Sequence, residues 1–406
     1  MEEEIAEAAA QRGVIFLPFL QMKRGYRVAG VEFLPLRDDD GKIPPVLESA
    51  VAPVEKILSG YVNRKGHPLT NCVVATKPGK GWNLTPDDFA DVVWASSLLF
   101  LAAWSCNRYL QKFGGPYVNS SNFRIVGQMF GGTMPHHISV SSRRRDGSTL
   151  DGGYKHGEFK FNVPLQVSVR EFTAVDEALL AALDASNGAQ AVVDLLRTAM
   201  PFVELANTDD DFMTPHAEAI LMGSALEQLL RGDGSKYTLA ANFGGVFEEC
   251  GSVTVAEAQK TRPEISIDTS TPERAAAQPK WWVHRKWMEE LYDLRSKVVH
   301  QGTHDTRQWG WTMFEHLLMA AHVFPLTAKL LLLREGHYQL TDADRVACRA
   351  VDKLLASPNW FNPDDGTESE ESWSRIVSKT SSELTVEKAV KRLKALRAER
   401  ESRSKT

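Results

Sequence analysis

The sequence predicts an α+β protein, in which an N-terminal mixed α/β domain with antiparallel strands is followed by an all-α helical bundle. Short segments rich in strand-forming residues lie within residues 14–170, whereas apolar residues recur at helical spacing from Asp176 onward. The length of 406 residues suits two or three domains. We therefore place a sensing or regulatory domain at 1–205, the bundle at 206–362, and an acidic linker with a basic amphipathic helix at 363–406.

Composition and charge limit the classes of function. Hydrophobic residues make up 43% of the chain and charged residues 24%, which is typical of a globular protein and excludes wholesale disorder. The net charge of −5 excludes a uniformly basic surface. Any contact with nucleic acid therefore needs a local basic patch.

The sequence has none of the expected signs of export. Residues 1–13 are acidic and lack the apolar run of a signal peptide, and the four cysteines are far apart. The apolar stretch 89–106 is short for a membrane span and is interrupted by serines, and the stretch 311–333 contains charged residues and a proline. We therefore expect a cytoplasmic protein with no membrane partner.

Strand-forming segments dominate the beginning of the chain. Segments 14–20 and 26–36 are separated by a short turn that contains Gly25, so we expect them to pair as a hairpin. Residues 71–76 are a further strand candidate. The Thr-Pro-Asp-Asp sequence that opens segment 85–111 predicts a capped helix that is apolar on nearly all sides.

Two further strands are expected at 138–142 and 158–169, on either side of a polar loop. The loop contains Arg143, Arg144 and Arg145. Such a run is commonly a solvated loop, and the alternative is a contact with the phosphate groups of RNA.

No motif in the chain indicates a metal or a cofactor. The glycine-rich phosphate-binding motifs and the HExxH motif are absent, and the adjacent His136 and His137 would point to opposite faces of a strand. We therefore expect neither a metal site nor a cofactor.

From Asp176 onward the pattern is helical. Capping residues mark some of the starts, with Thr214 and Pro215 before one helix and Thr341 with Asp344 before another. The expected helices cover 176–200, 214–232, 280–301, 311–335 and 341–356.

The C-terminal segment combines positive charge with amphipathic spacing. Residues 384–406 contain eight Lys or Arg and three Glu. One interpretation is that this helix docks through its apolar face on its own domain or on a partner protomer. The other is that Lys391 and Arg392 contact the RNA backbone. The apolar face consists of Val386, Ala389, Val390, Leu393 and Leu396.

The most informative segment is 281–302, which separates into three faces at 100° per residue. A core stripe spans about 60° of the helix. A second apolar group lies about 100° further round and offers a surface for a two-fold contact. The core stripe is Trp287, Leu291, Leu294 and Val298. The second group is Met288, Tyr292 and Val299, and the polar side is Glu289, Glu290, Asp293, Ser296 and Lys297.

Arg295 lies between the two apolar groups, where a guanidinium needs a partner because it cannot lose its proton. Three interpretations are open: its head reaches water, it pairs with Glu227, or it faces a phosphate at the edge of a cleft or dimer seam. His300 follows about 140° further round the helix, so the two side chains meet only if the helix end unwinds or across a two-fold axis. Near one phosphodiester, a His can move a proton while an Arg stabilises the charge of the transition state.

Residues 291–302 (LYDLRSKVVHQG) resemble the R-x(4–6)-H motif of HEPN domains, with four residues between Arg295 and His300. The form of the motif is similar to the ApeA-like branch of that family. Residues 223–230 (GSALEQLL) are similar to the first core helix of the same branch. The resemblance covers roughly residues 210–360.

This resemblance implies a helical-bundle homodimer that acts as a metal-independent endoribonuclease, with Arg295 and His300 in a composite cleft. We place Ser296, Glu227 and Tyr292 as supporting residues. The resemblance further implies an antiviral-defence or toxin effector whose partner is RNA. By position, the N-terminal domain would sense a phage or host trigger.

Two alternatives stay open at this point. One is a non-catalytic HEPN module that binds a nucleotide or a partner protein, because Ser296 stands where many HEPN nucleases have Asn, Asp or His. The other is a purely structural role, with Arg295 in an ion pair and His300 at the helix C-terminus, where its charge favours the helix dipole.

Overall fold

In the computed structural model, the chain forms two compact units. The first unit contains the strands and the second is helical in its described residues, so the α+β fold class is confirmed. The expected domain boundaries stay a prediction. The structure describes residues 12–63, 65–106, 118–130, 137–143, 146, 148–155, 161–162, 173–184, 188–208, 213–301, 309–358, 360 and 373–403. The first unit is Met1–Arg108, Pro116–Val193 and Asn207–Asp211, and the second is Tyr109–Gly115, Asp194–Ala206 and Phe212–Thr406.

The first unit is organised by a five-stranded antiparallel sheet with strand order β2-β3-β5-β1-β6. Two further pairs accompany it, with β4 parallel to β9 and β7 antiparallel to β8. The strands are β1 Arg12–Leu17, β2 Tyr26–Val28, β3 Val31–Pro35, β4 Tyr61–Val62, β5 Val73–Thr76, β6 Val126–Phe130, β7 His137–Arg143, β8 Thr149–Lys155 and β9 Phe161–Asn162.

The expected hairpin between the first two strand segments is wrong. Strand β1 lies between β5 and β6 in the sheet and pairs with both of them instead. The second segment itself folds into the hairpin β2–β3, which turns at Ala29 and Gly30, both with positive φ (49° and 73°). A two-residue turn of this kind matches the twist of the strands, so the local pairing is favoured over the more distant one.

The partner of β7 also differs from the expectation. Strand β8 lies within the segment expected to be a polar loop, and its register runs from His137 opposite Lys155 to Arg143 opposite Thr149. Of the segment expected at 158–169, the structure describes only β9. Arg143 ends β7, whereas Arg144 and Arg145 lie outside the described residues.

Three described helices lie wholly within the first unit. Helix α1, Val51–Leu58, contributes Val54 and Leu58 to an apolar cluster with Phe16. Helix α2, Phe89–Cys106, follows a 3-10 turn at Pro86–Asp88, which confirms the predicted helix start. A short helix, α3, covers Glu177–Leu183.

The second unit is a helical bundle in its described residues. Helix α9 contacts α5, α6 and α11, and α10 packs against α5 and α11. The helices predicted at 214–232, 280–301, 311–335 and 341–356 are confirmed, whereas α6, α7 and α8 were not expected. The single helix predicted at 176–200 is wrong, because the chain forms two helices there, Glu177–Leu183 and Gln190–Ala206. The remaining helices are α4 Gln190–Ala206, which begins in the first unit, α5 Pro215–Leu229, α6 Lys236–Val246, α7 Val255–Ala258, α8 Pro272–Ala277, α9 Val283–Gln301, α10 Met313–Arg334, α11 Asp342–Ala356 and α12 Trp373–Arg403.

Among the described residues, two helices are long and apolar enough to cross a membrane. In α2 and α10, respectively 67% and 78% of the apolar window is buried inside the structure. Core helices pass the same test of length and composition, so the finding is weak evidence for a membrane span.

Helix α12 begins eleven residues earlier than expected, at Trp373 rather than at residue 384. Its docked side carries the buried Thr380 and Leu384, and Glu387 pairs with Arg349 of α11 at 2.7 Å. The expectation that the helix docks on its own unit through Val386, Val390 and Leu393 is wrong. These side chains are 62%, 45% and 57% exposed, because they lie on the opposite side of the helix.

A buried ion pair joins α10 to α11. The Lys329 and Asp344 side chains are each at most 2% exposed, and the Lys329 Nζ lies 2.7 Å from Asp344 Oδ1. The hydroxyls of Tyr338 and Thr341 donate to the second carboxylate oxygen at 2.8 and 2.7 Å. Burial alone would raise the pKa of Asp344, but Lys329 and the Thr341 hydrogen bonds outweigh it and lower the pKa to about 2.

We expect Asp344→Asn to lower the free energy of unfolding by about 3 kcal/mol, because it leaves the Lys329 ammonium buried without a counter-charge. Since the folded pKa lies below the ordinary value of 3.8, the stabilisation is complete above that pH and is lost as pH falls toward 2. Urea titrations at several pH values measure both effects. Asp342→Asn, at an exposed position beside it, is the control and should change stability by less than about 0.5 kcal/mol. Equal effects of the two variants would contradict the assignment.

Candidate functional site

Helix α9, which carries the R-x(4–6)-H motif, is fixed in the bundle by its apolar stripe. Trp287 is fully buried, and Leu291 and Leu294 are 1% and 3% exposed. This confirms the predicted core stripe for these three residues. The fourth member, Val298, lies among residues whose side chains the structure does not describe.

The second apolar group of α9 is not a free surface. Met288 is fully buried within the unit, so the expectation that it offers a two-fold contact is wrong. Tyr292 is half-buried, and its hydroxyl donates to the carbonyl of Gly234. The Val299 side chain is outside the described residues. The fold uses this face because α5 and α6 both pack against α9.

The polar side of α9 is also partly buried, contrary to expectation. Glu289 is 2% exposed and accepts hydrogen bonds from Arg274 at 2.9 Å, Lys286 at 3.2 Å and Gln278 at 3.0 Å. Its neighbour Glu290 is 7% exposed, and its partners are Trp311, which precedes α10, and His316 of α10. Buried carboxylates need such partners, because leaving one unpaired is costly.

Glu290 joins the motif helix to α10. Its carboxylate accepts the backbone N–H of Trp311 at 3.0 Å and lies 3.3 Å from the His316 ring nitrogen Nε2. Periodicity alone does not reveal these contacts, since a glutamate among polar neighbours on a helix is normally solvated.

Arg295 forms the ion pair that the sequence left as one of three interpretations. Its Nη1 lies 2.6 Å from Glu227 Oε2 of α5, and 27% of the Arg295 side chain stays exposed. The arginine stem lies against Gly223, where an added Cβ would be 3.3 Å from Arg295 Cδ. The guanidinium carbon is 5.6 Å from the centre of the Tyr292 ring. The structure therefore brings Glu227 and Tyr292 to Arg295 and leaves the arginine side chain partly exposed to solvent.

His300 lies in the last turn of the same helix, which is continuous to Gln301. The backbone therefore does not unwind between Arg295 and His300, and the two positions are about 140° apart around the axis. The His300 side chain is outside the described residues. Ser296, next to the arginine, is half-buried.

The candidate RNA-contact residues occupy different parts of the chain. Arg143 ends a strand of the first unit, and Arg144 and Arg145 are outside the described residues. Lys391 and Arg392 are exposed on α12 of the second unit. The second unit thus contains the R-x(4–6)-H motif together with one of the two basic segments.

Sequence reasoning missed a buried His–Asp pair. The Nδ1 of His284 lies 2.7 Å from Oδ1 of Asp352, whose other oxygen accepts the backbone N–H groups of Ser252 and Val253 at 2.7 and 3.2 Å. Both side chains are at most 1% exposed, so a substrate cannot reach them, and we assign the pair to packing. The sequence could have indicated this pair, because Asp352 is a charged residue on the apolar face of α11, one helical turn after the buried Cys348.

No group of three or more His, Cys, Asp or Glu among the described residues is arranged to hold a metal ion. Comparison with known proteins found no matching family model, no matching curated protein and no matching solved structure. The proposals below therefore depend on the sequence motif and on the geometry around α9.

A double-mutant cycle of Glu227→Ala and Arg295→Ala measures what the ion pair contributes. We expect a coupling energy of about 1 kcal/mol, since the arginine is partly exposed to solvent. Chemical denaturation of the two single variants and the double variant gives the value. A coupling above about 3 kcal/mol would instead indicate a purely structural pair of the buried kind.

Proposed function

We propose that this protein is a metal-independent endoribonuclease of the HEPN type, in which Arg295 and His300 are the catalytic residues. The observation that carries the proposal is the partly exposed Arg295 side chain on a packed helix that also carries His300. Pairing with Glu227 supports the proposal further, because it orients the guanidinium before a substrate binds.

The chemistry uses the 2′-hydroxyl of RNA as the nucleophile. His300 removes the 2′-O–H proton as the new oxygen–phosphorus bond forms, or delivers a proton to the departing 5′-oxygen. Arg295 stabilises the extra negative charge on the phosphoryl oxygens in the transition state. The products are a 2′,3′-cyclic phosphate and a 5′-hydroxyl, and DNA is not cleaved because it lacks the nucleophile.

The proposal includes a homodimer. Arg295 and His300 diverge on a continuous helix, so a single chain presents only half of a site. In a symmetric dimer, Arg295 of one protomer and His300 of the other face the same phosphodiester. The buried Met288 leaves the last turns of α9, rather than its middle, for this contact.

The remaining parts of the proposal concern partners and regulation. RNA is the substrate, and the basic residues Arg143, Arg144, Arg145, Lys391 and Arg392 contact its backbone. The N-terminal unit senses a phage or host trigger and restrains the nuclease of the same chain. The protein then acts in the cytoplasm as an antiviral or toxin effector.

One observation favours a second candidate function. Arg295 already has an anionic partner within its own chain, so it does not need a substrate phosphate as its counter-charge. This fits a non-catalytic HEPN module that binds a nucleotide or a partner protein. The fate of RNA in the experiment below separates the two functions.

We expect RNA cleavage to persist in EDTA and to leave 2′,3′-cyclic phosphate ends, because neither catalytic residue requires a divalent ion. Arg295→Ala and His300→Ala should each lower the cleavage rate by at least about 100-fold, as expected for loss of a proton-transfer or charge-stabilising group. Gel analysis with end-group identification measures both. Strict Mg²⁺ dependence or cleavage of DNA would refute the mechanism, and RNA binding without cleavage would favour the second function.

Mixed dimers test whether the sites are shared. When Arg295→Ala and His300→Ala chains, each inactive alone, are combined, one composite site of the heterodimer keeps both wild-type residues. We expect cleavage to return to about one quarter of the wild-type rate, since about half of the dimers are mixed and each has one intact site. A mixture as inactive as its components would show that both residues act within one chain.

A further inference from the structure

An open groove of about 590 Å³ lies between helices α11 and α12 in the second unit. The groove is lined by four cationic and two acidic side chains, which leaves a net charge of +2. These are Arg345, Arg349, Lys388, Lys391, Asp342 and Glu387.

Ion pairs across the groove use only half of these cations. Arg349 Nη1 lies 2.7 Å from Glu387 Oε2, and Lys388 pairs with Asp342. In the part of the chain that the structure describes, Arg345 and Lys391 form no hydrogen bond or ion pair. Each helix therefore presents one cation without a partner to the same groove.

The two cations without a partner lie on facing helices. Arg345 is one helical turn from Arg349 on α11, and Lys391 is one turn from Lys388 on α12, whereas Arg349 and Lys388 are already compensated by Glu387 and Asp342. An anion in the groove would supply Arg345 and Lys391 with a counter-charge.

We propose that this groove binds a small phosphorylated molecule, with Arg345 and Lys391 as the phosphate-binding residues. A guanidinium donates two parallel hydrogen bonds to phosphate oxygens, and an ammonium adds a compact charge. The volume lies within the range of small-molecule sites, and Leu340 and Leu384 supply apolar surface for the rest of the ligand.

The extent of the groove favours a compact ligand over a long RNA strand. Lys391 is the last residue of α12 that lines the groove, and the basic residues Lys394 and Arg397 that follow it lie outside. A contact with a long strand would continue along these residues, so variants of Lys394 and Arg397 distinguish the two kinds of ligand.

A second cleft, in the first unit, provides a contrast. It has a volume of about 450 Å³, and its charged lining consists of Asp38, Asp39, Glu55 and Arg37. Because Arg37 is already paired with Glu55, this cleft presents net negative charge and would repel a phosphate.

The inference shares Lys391 with the proposed RNA contact but does not depend on RNA cleavage, and its test has no cleavage readout. Binding of ATP, pyrophosphate and inorganic phosphate to the full-length protein is measured by isothermal titration calorimetry. We expect ATP to bind and pyrophosphate to compete with it. Arg345→Gln and Lys391→Gln should each weaken ATP binding about tenfold, and the double variant should lose it, since each removes a charge-assisted contact.

Lys394→Gln and Arg397→Gln are the matched controls, because each removes one positive charge from α12 outside the groove. They should leave ATP affinity within about twofold of wild type, and thermal unfolding verifies that all variants are folded. Three results would overturn the proposal. The first is that neither ATP nor pyrophosphate binds at millimolar concentration. The second is that the control variants weaken ATP binding as much as the groove variants do. The third is that the protein does not bind ATP, while Arg345→Gln and Lys391→Gln weaken its binding to a 20-nucleotide RNA.

Discussion

The structure of the second unit depends on supplying a partner for each charge that α9 buries. Glu289 and Glu290 are almost fully enclosed, and so is His284 at the start of the helix. Each neighbouring helix provides one of the required groups. Asp352 of α11 holds His284, Arg274 of α8 holds Glu289, His316 of α10 holds Glu290, Lys236 of α6 holds Asp293, and Glu227 of α5 holds Arg295.

This pattern fixes the rotation of α9 about its own axis. An apolar stripe alone tolerates small rotations, whereas a buried carboxylate turned away from its partner costs several kcal/mol. Because the rotation is fixed, the side of α9 that faces solvent is fixed as well. Arg295 and Asp293 keep appreciable exposure, at 27% and 39%, against at most 9% for Lys286 and Glu289. An arginine held in this way is suited to meeting a phosphate without further ordering.

Helix α12 has two faces with different roles. Leu384 and Thr380 attach it to α11, together with ion pairs to Arg349 and Lys353. The edge of the same contact carries the groove for which we propose a phosphate ligand. A ligand held by both Arg345 and Lys391 would strengthen the attachment of α12, because it contacts residues of both helices.

The sequence by itself determined the fold class, the starts of the capped helices and three residues of the core stripe of α9. Thr341 with Asp344 and Thr85 with Pro86 act within one turn of the chain, so their residue types are sufficient to predict the local structure. Trp287 and Leu291 are buried as periodicity predicts, because the hydrophobic effect does not depend on which neighbour covers them.

Only the tertiary structure decided which strands pair, which polar residues of α9 are buried and with which partners, and which face of α12 packs against α11. Strand β1 has two suitable partners far along the chain, and backbone hydrogen bonds do not distinguish between them in a sequence. Glu289 and Glu290 look solvated until Arg274 and His316 are brought to them from distant helices. Such contacts depend on positions and orientations in space, and the energy of a charge changes sign with them, whereas apolar burial is favourable in any orientation.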